Sequence, residues 1–281
     1  MRIGQRGIGT SIQPTQYAAG MGETVTYLDR IVAAHRAAAE RDDRPLERLA
    51  ERAMLEAPAR GFRRALAAAD GLGVIAEVKR RSPSKGDLFG DLVAGELAKS
   101  YEAGGGTCLS VLTDQAFFGG SHGDLVQARH AVAIPVLRKD FTVSTHDVFD
   151  ARIMGADCIL LIVAALDDDE LRRFHRLASD LGLDCLVEIH DEAELERAMR
   201  VEPSLIGVNQ RDLVTFEVDQ QRAARMAPLI PDSIVKVAES GVSGPADAGA
   251  ARDAGYDAVL VGEALVRSGD PEAAVRALRR A

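Results

Sequence analysis

Val74-Ile75-Ala76-Glu77-Val78-Lys79, followed by Arg80-Arg81-Ser82-Pro83-Ser84-Lys85-Gly86, is the stretch on which the fold turns. The first six residues form a short, β-branched apolar run after Gly73, which reads as a strand. An open doubly wound sheet usually opens its first turn with a G-x-G-x-x-G loop, and Arg80 to Gly86 is nothing of the kind. Seven similar runs follow: Cys108–Leu112, Pro135–Lys139, Cys158–Val163, Asp184–Glu188, Leu205–Asn209, Ile234–Glu239 and Ala258–Gly262. They start about 21 to 34 residues apart, the rhythm of βα units. The runs are continuously apolar, not alternating, which implies burial on both faces and a parallel sheet. Helical patterns such as Asp167–Leu181 and Glu192–Arg200 lie between them. Eight βα units in about 210 residues predict an α/β fold, a (β/α)8 TIM barrel.

Upstream, the pattern from about Val25 to Ala69 is helical. Leu28, Ile31, Val32 and His35 share a face, Pro45 interrupts, Leu46, Leu49, Met54 and Leu55 resume, and Pro58 and Gly61 break it again. Residues 1–22 are Gly-rich and polar and read as a flexible tail with no secretory signal. Met21, just before the helix signal Thr24-x-x-Tyr27, is a second plausible start beside Met1. A length of 281 residues alone suggests two domains. The pattern instead predicts a tail (1–22) and one barrel domain (23–281) that includes an N-terminal helical cap (24–69).

Composition narrows the function. Apolar residues make up 47% and charged residues 27%, enough for a full core. With eight Phe, four Tyr and no Trp, a base-stacking platform is unexpected. The net charge of −9 lacks the basic footprint of a nucleic-acid binder, so any anionic ligand needs a local site. Cys108, Cys158 and Cys185 are far apart and sit in apolar runs. They read as reduced core residues of a cytoplasmic protein, without metal-ligand spacing. No apolar run reaches the roughly 20 residues that span a membrane.

Within the strands, ionisable residues gather at the C-terminal ends: Glu77 and Lys79, Lys139 followed by Asp140, Glu188, Asn209 with Arg211, Glu239 with Ser240. A charge buried beside a barrel core is costly unless paired. Five strands sharing the feature at one end mark a mouth, where barrel active sites lie. Two Lys and three Glu there shift one another's pKa values, which suits acid/base chemistry. Glycines after the last two strands, in Glu239-Ser240-Gly241-Val242-Ser243-Gly244 and Val261-Gly262-Glu263, let backbone N–H groups approach a phosphate. His122, His146 and His190 lie in loops or helix starts and read as caps or surface residues.

At these residues the chain resembles the indole-3-glycerol phosphate synthase family. The resemblance runs from about Thr24 to the C-terminus. It rests on Ile75-Ala76-Glu77-Val78-Lys79-Arg80-Arg81-Ser82-Pro83-Ser84, Leu112-Thr113-Asp114, Phe117-Phe118-Gly119-Gly120-Ser121, Leu137-Arg138-Lys139-Asp140-Phe141, Val187-Glu188, Ile206-Gly207-Val208-Asn209-Gln210-Arg211-Asp212-Leu213, Ala238-Glu239-Ser240-Gly241 and Val261-Gly262-Glu263. It implies a carboxy-lyase of tryptophan biosynthesis acting on a small phosphorylated substrate, without metal or cofactor. A monomer is the default expectation.

The same resemblance implies roles. Lys139 is the general acid at ring closure, with a plain pairing to Asp140 as the alternative. Lys79 holds the substrate carboxylate and serves in dehydration, or simply pairs with Glu77. Glu77 orients the lysines, Glu188 is the base or stabilises a cationic intermediate, and Asn209 and Glu239 hydrogen-bond in the same mouth. Arg81, Ser82, Arg211, Ser240, Gly241 and Gly262 bind phosphate or substrate; Arg211 could instead bond Asp140 or Glu239. Phe118 and Phe141 flank the anthranilate ring or only fill the barrel top. Glu263 should point away from the phosphate. The helices before strand one are expected to cover the mouth partly.

Two other readings compete. Phosphoribosylanthranilate isomerase would want a Cys near the end of strand one, where Glu77 and Lys79 stand. A non-catalytic phosphosugar-binding barrel predicts a missing acid or base, and none is missing.

Overall fold

A computed structural model describes residues 26–82, 86–88, 91–212, 215 and 217–281, with Ser82 described by its backbone alone. The tail, the Met1 or Met21 question and Thr24 lie outside the described residues. Eight strands, β1 (Gly73–Val78), β2 (Cys108–Leu112), β3 (Val136–Lys139), β4 (Cys158–Ile162), β5 (Asp184–Ile189), β6 (Leu205–Asn209), β7 (Val235–Glu239) and β8 (Ala258–Val261), close into an all-parallel barrel. Each pairs with the next, and β8 pairs with β1 through Gly73↔Ala258 to Ala76↔Val261. The strand bounds agree with the sequence reading to within one residue.

The two-residue period of a strand sorts the apolar runs into two cores. Ile75, Leu137, Leu160, Leu186, Val237 and Leu260 point inward and fill the barrel. Val74, Leu109, Ile159, Val187, Ile206 and Val259 point outward beneath the helices. The three cysteines are free and buried.

Before β1 come α1 (Tyr27–Ala39), α2 (Leu46–Leu55) and α3 (Phe62–Ala67). Thr26 and Asp29 form a capping box at the start of α1, so the helix begins on Thr26. The three helices do different jobs. Tyr27, Leu28 and Ile31 of α1 stand over the C-terminal mouth. Helix α2 packs through Leu49 and Ala53 on Phe149 at the flank, leaving Met54 and Leu55 exposed. Helix α3 plugs the opposite end: Phe62 and Leu66 are fully buried among the inward residues. The N–H of Arg60 bonds Asp157 ahead of β4 at 2.7 Å, and that of Arg63 bonds Asp184 at the start of β5 at 2.9 Å. The partial cover expected of this segment is supplied by one helix. Only α1 contributes to it, because the apolar faces of α2 and α3 find surface elsewhere.

Around the barrel follow α4 (Ala94–Ala103), α5 (His122–Ala131), α6 (Thr145–Ile153), α7 (Asp168–Asp180), α8 (Glu192–Met199), α9 (Arg222–Met226), α10 (Pro245–Asp253), α11 (Glu263–Val266) and α12 (Pro271–Arg279). No helix among the described residues is long and apolar enough to cross a membrane.

Candidate active site

A cavity of about 470 Å³ opens at the C-terminal ends of the strands, roofed by α1. Of the fourteen residues named from the sequence, all but Arg81 and Ser82 line it. The guanidinium of Arg81 faces Asp87 at 3.4 Å instead, and the side chain of Ser82 lies outside the described residues.

Strand parity brings the charges together. Glu77, Lys139, Glu188 and Glu239 share the inward parity of a core residue two positions earlier, and Asn209 that of Leu205 four positions earlier, so all five cap the inner core. Lys139 Nζ sits between two carboxylates, 3.3 Å from Glu188 Oε2 and 3.8 Å from Glu239 Oε2. Asp140, its neighbour in sequence, has the opposite parity. Asp140 accepts from Thr113 Oγ1 and from Arg138 Nη2 at 3.1 Å, which excludes the plain Lys139–Asp140 pair. Lys79 Nζ lies 2.7 Å from Glu77 Oε1, so that pair does form, inside the cavity. Asn209 Nδ2 donates to Glu188 Oε1 at 3.0 Å, while Asn209 Oδ1 accepts from Ser240 Oγ at 2.8 Å and the Arg211 N–H at 3.0 Å. Ser240 holds a left-handed backbone (φ 63°) ahead of Gly241 (φ 74°), a strained turn of the kind that clusters at functional sites.

The electrostatics separate the two carboxylates. For Lys139, burial disfavours the ammonium, but the charges of Glu188, Glu239 and Glu77 outweigh it and hold the group protonated. Burial also opposes ionisation of Glu188, yet Lys139, His190 and the Asn209 bond keep its carboxyl below the usual range. Glu239 goes the other way: burial and the Glu188 charge push it well above that range, with Lys139 opposing only in part. The two acids are therefore driven apart, Glu188 toward the carboxylate and Glu239 toward the carboxylic acid.

Two glycines make room for these carboxylates. A Cβ on Gly207 would stand 2.0 Å from Glu239 Oε1, and one on Gly262 would stand 2.4 Å from Glu77 Oε1. Gly262 thus has a packing reason beside its place in the cavity wall. Gly207 lay within a quoted motif without a role, although its position two residues before Asn209 was the signal.

The roof is tied down by polar contacts. His35 Nε2 on α1 lies 2.9 Å from Asp114 Oδ2 and 3.9 Å from Asp140 Oδ1. Asp114 Oδ1 in turn accepts the N–H groups of Phe117 and Phe118, at 2.6 and 3.0 Å, and Asp140 Oδ1 accepts that of Phe141 at 2.8 Å. Donor atoms of His35, Asp114 and Asp140 lie within 4.8 Å of one another, but Arg138 and these amides already engage the carboxylates. Phe118 and Phe141 stand 6.2 Å apart between ring centroids, tilted by 33°, and form one continuous aromatic wall. Glu263 faces Arg267 at 3.7 Å, both in the cavity lining.

Of the three histidines read as caps or surface residues, His122 is exposed at the start of α5, while His146 and His190 are held by partners. His190 is 11% exposed and its Nε2 lies 3.7 Å from Glu188 Oε1. His146 bonds the carbonyl of Arg44 at 2.9 Å, joining α6 to the α1–α2 connection.

The sequence model of indole-3-glycerol phosphate synthase matches residues 28–278. The chain belongs to the indole-3-glycerol phosphate synthase family. Relatives of that name come from a Nocardioides species (58% identical over 208 residues, 74% of this chain and 80% of the relative) and from Kineococcus radiotolerans (49% over 257 residues, 89% and 94%). Another, from Mycolicibacterium smegmatis, is 49% identical over 254 residues, 90% of this chain and 93% of the relative. Among solved structures, a thiamine phosphate pyrophosphorylase from Pyrococcus furiosus superposes with a TM-score of 0.56 at 15% identity, covering 78% of this chain and 96% of its own. At that identity the likeness speaks for the barrel alone. The family membership separates this synthase from the isomerase and binding-protein readings, which share the barrel.

Proposed function

We propose that the mouth carries out the synthase reaction with Lys139 as general acid and Glu188 as base, on a substrate enclosed by α1. The chain is a carboxy-lyase of tryptophan biosynthesis. The reaction converts 1-(2-carboxyphenylamino)-1-deoxyribulose 5-phosphate to indole-3-glycerol phosphate, carbon dioxide and water. The anthranilate nitrogen pushes electrons to the ring carbon bearing the carboxylate, and that carbon attacks the C2′ carbonyl. Loss of carbon dioxide returns an electron pair to the ring. The former carbonyl oxygen leaves as water, and loss of a C–H proton completes the indole. Two protons reach the oxygen and one leaves carbon, so a substrate with an ionised carboxylate takes up one proton net.

The observation that carries these assignments is Lys139 Nζ held between Glu188 and Glu239 inside the cavity. A general acid must be protonated before it acts, and the two carboxylates favour that state. Glu188, kept ionised, is the member of the pair that can accept the C–H proton. Glu239, pushed toward its protonated form, can restore the proton that Lys139 gives up. Lys79, paired with Glu77, faces the same space and serves the substrate carboxylate and the later dehydration. Phe118 and Phe141 offer one face to the anthranilate ring. Arg211, Ser240, Gly241 and Gly262 line the part of the cavity below strands β6 to β8 and serve the phosphate, with Arg81 and Ser82 of the first loop. The roof excludes water from the cationic intermediate. The catalytic unit is proposed to be a monomer in the cytoplasm.

Incubation with the carboxyphenylamino-deoxyribulose phosphate, followed by indole fluorescence, tests the reading. A fluorescence rise is expected, reduced at least about 10²-fold in Lys139→Ala. No rise, or one unchanged by that substitution, overturns it.

A further inference from the structure

His190 follows β5 directly, two residues after Glu188, and so shares its inward parity. The residue is gripped twice from α8: Glu194 Oε2 accepts its backbone N–H at 2.9 Å and its ring Nδ1–H at 3.0 Å. The ring cannot turn away without breaking that hold. Its other nitrogen, Nε2, is fully buried, has no hydrogen-bond partner among the described residues, and lies 3.7 Å from Glu188 Oε1.

This geometry fixes the protonation chemistry. A carboxylate accepts only, so the bond to Glu194 commits a proton to Nδ1. In the neutral ring Nε2 would then present a lone pair to a second carboxylate, in a site closed to water. Only the imidazolium, with a proton on each nitrogen, satisfies Glu194 and Glu188 together. The groups facing the ring agree. Burial disfavours its charge and Arg222 of α9 opposes it, but Glu194 and Glu188 prevail and the ring titrates above its ordinary value.

We propose that His190 is a positioning residue of the synthase reaction, an imidazolium clamped by Glu194 that holds Glu188 as a carboxylate with Oε2 turned to Lys139. Glu188 then has three partners with separate tasks. Lys139 meets Oε2 at 3.3 Å, Asn209 bonds Oε1 at 3.0 Å, and His190 supplies charge behind Oε1. His190 touches no reacting atom in this scheme and acts through Glu188 alone. The proposal rests on the assignment of Glu188 as base.

Two measurements test it. In His190→Asn the acid limb of the kcat/KM–pH profile, where Glu188 becomes protonated, is expected to move up by at least about one pH unit, the usual effect of losing an opposite charge at this distance. A limb superimposable on the parent's overturns the proposal, since a purely structural role would lower the plateau without moving the limb. The second measurement does not depend on that variant folding. The His190 ring nitrogens, followed by NMR in the intact enzyme, are expected to titrate above the ordinary imidazole value, and in Glu188→Gln at least about one unit lower. An unchanged titration overturns the ion pair. Activity of Glu188→Gln reports separately on the base: a fully active variant rejects that assignment, whatever the ring titration shows.

Discussion

Gly207 and Glu239 face each other across adjacent strands so closely that a Cβ on residue 207 would stand 2.0 Å from Glu239 Oε1. The backbone of Gly207 is an ordinary strand, so the glycine is there for space. Glu239 is 2% exposed and Leu186 closes the other side, with Cδ1 3.2 Å from the same point. An added methyl must push the carboxyl of Glu239 out of place.

Gly207→Ala is therefore expected to lose most of its kcat, while stability falls by only about 1–3 kcal/mol, the range for overpacking. Steady-state kinetics beside urea denaturation check this. Full activity would mean that the carboxyl has another place to go.

Glu188 and Glu239 flank the same ammonium but are shifted in opposite directions, and their amide variants should separate. Glutamine mimics a protonated carboxyl. Near neutral pH, Glu239→Gln is expected to cost less than about 10-fold in kcat, and Glu188→Gln at least about 10²-fold. Equal losses would show that both acids act ionised. The comparison needs only kcat at saturating substrate for three proteins.

His35 is the polar tie of the roof, and its effect on stability depends on pH. Burial alone would disfavour its charge, but the bond to Asp114 and the charges of Asp140 and Asp114 raise its pKa above the unfolded value of 6.5. The folded state thus binds the proton more tightly. This contribution is complete below about pH 6.5 and fades as the pH rises through the folded value. His35→Asn is expected to destabilise more at about pH 5.5 than at about pH 8.5, measured by denaturation of both proteins at each pH. An equal cost at both ends would show that the imidazolium adds nothing.

Phe62 tests whether the two ends of the barrel are independent. It is completely buried in the plug, at the end remote from the mouth. Phe62→Ala is expected to cost about 3–5 kcal/mol of stability. The kcat of the remaining folded protein should stay within about twofold, because additivity holds for distant sites. Thermal melts and kinetics below the new transition decide it.

Much of this was legible along the chain. Parallel strands buried on both faces must be continuously apolar, so Glu77, Lys139, Glu188 and Glu239 stood out where the runs ended. The eight runs determined the barrel, and the polar ends of five of them its mouth. Resemblance then supplied chemistry that periodicity could not. Parity would have separated Lys139 from Asp140 as well, since adjacent strand residues face opposite sides.

What tertiary structure alone decided is which charge meets which. Lys139 chooses Glu188 and Glu239, 49 and 100 residues further along, because barrel closure brings the ends of β3, β5 and β7 to one point. No local signal carries that distance. The same holds for His190, whose burial depends on α8 folding back over β5, and for α3, whose Phe62 and Leu66 read only as part of a helix until a barrel end stood open to receive them. Strand identity is fixed locally, by side chains a few residues apart. Pairing between charges is fixed by the closure of the sheet, which no segment contains by itself.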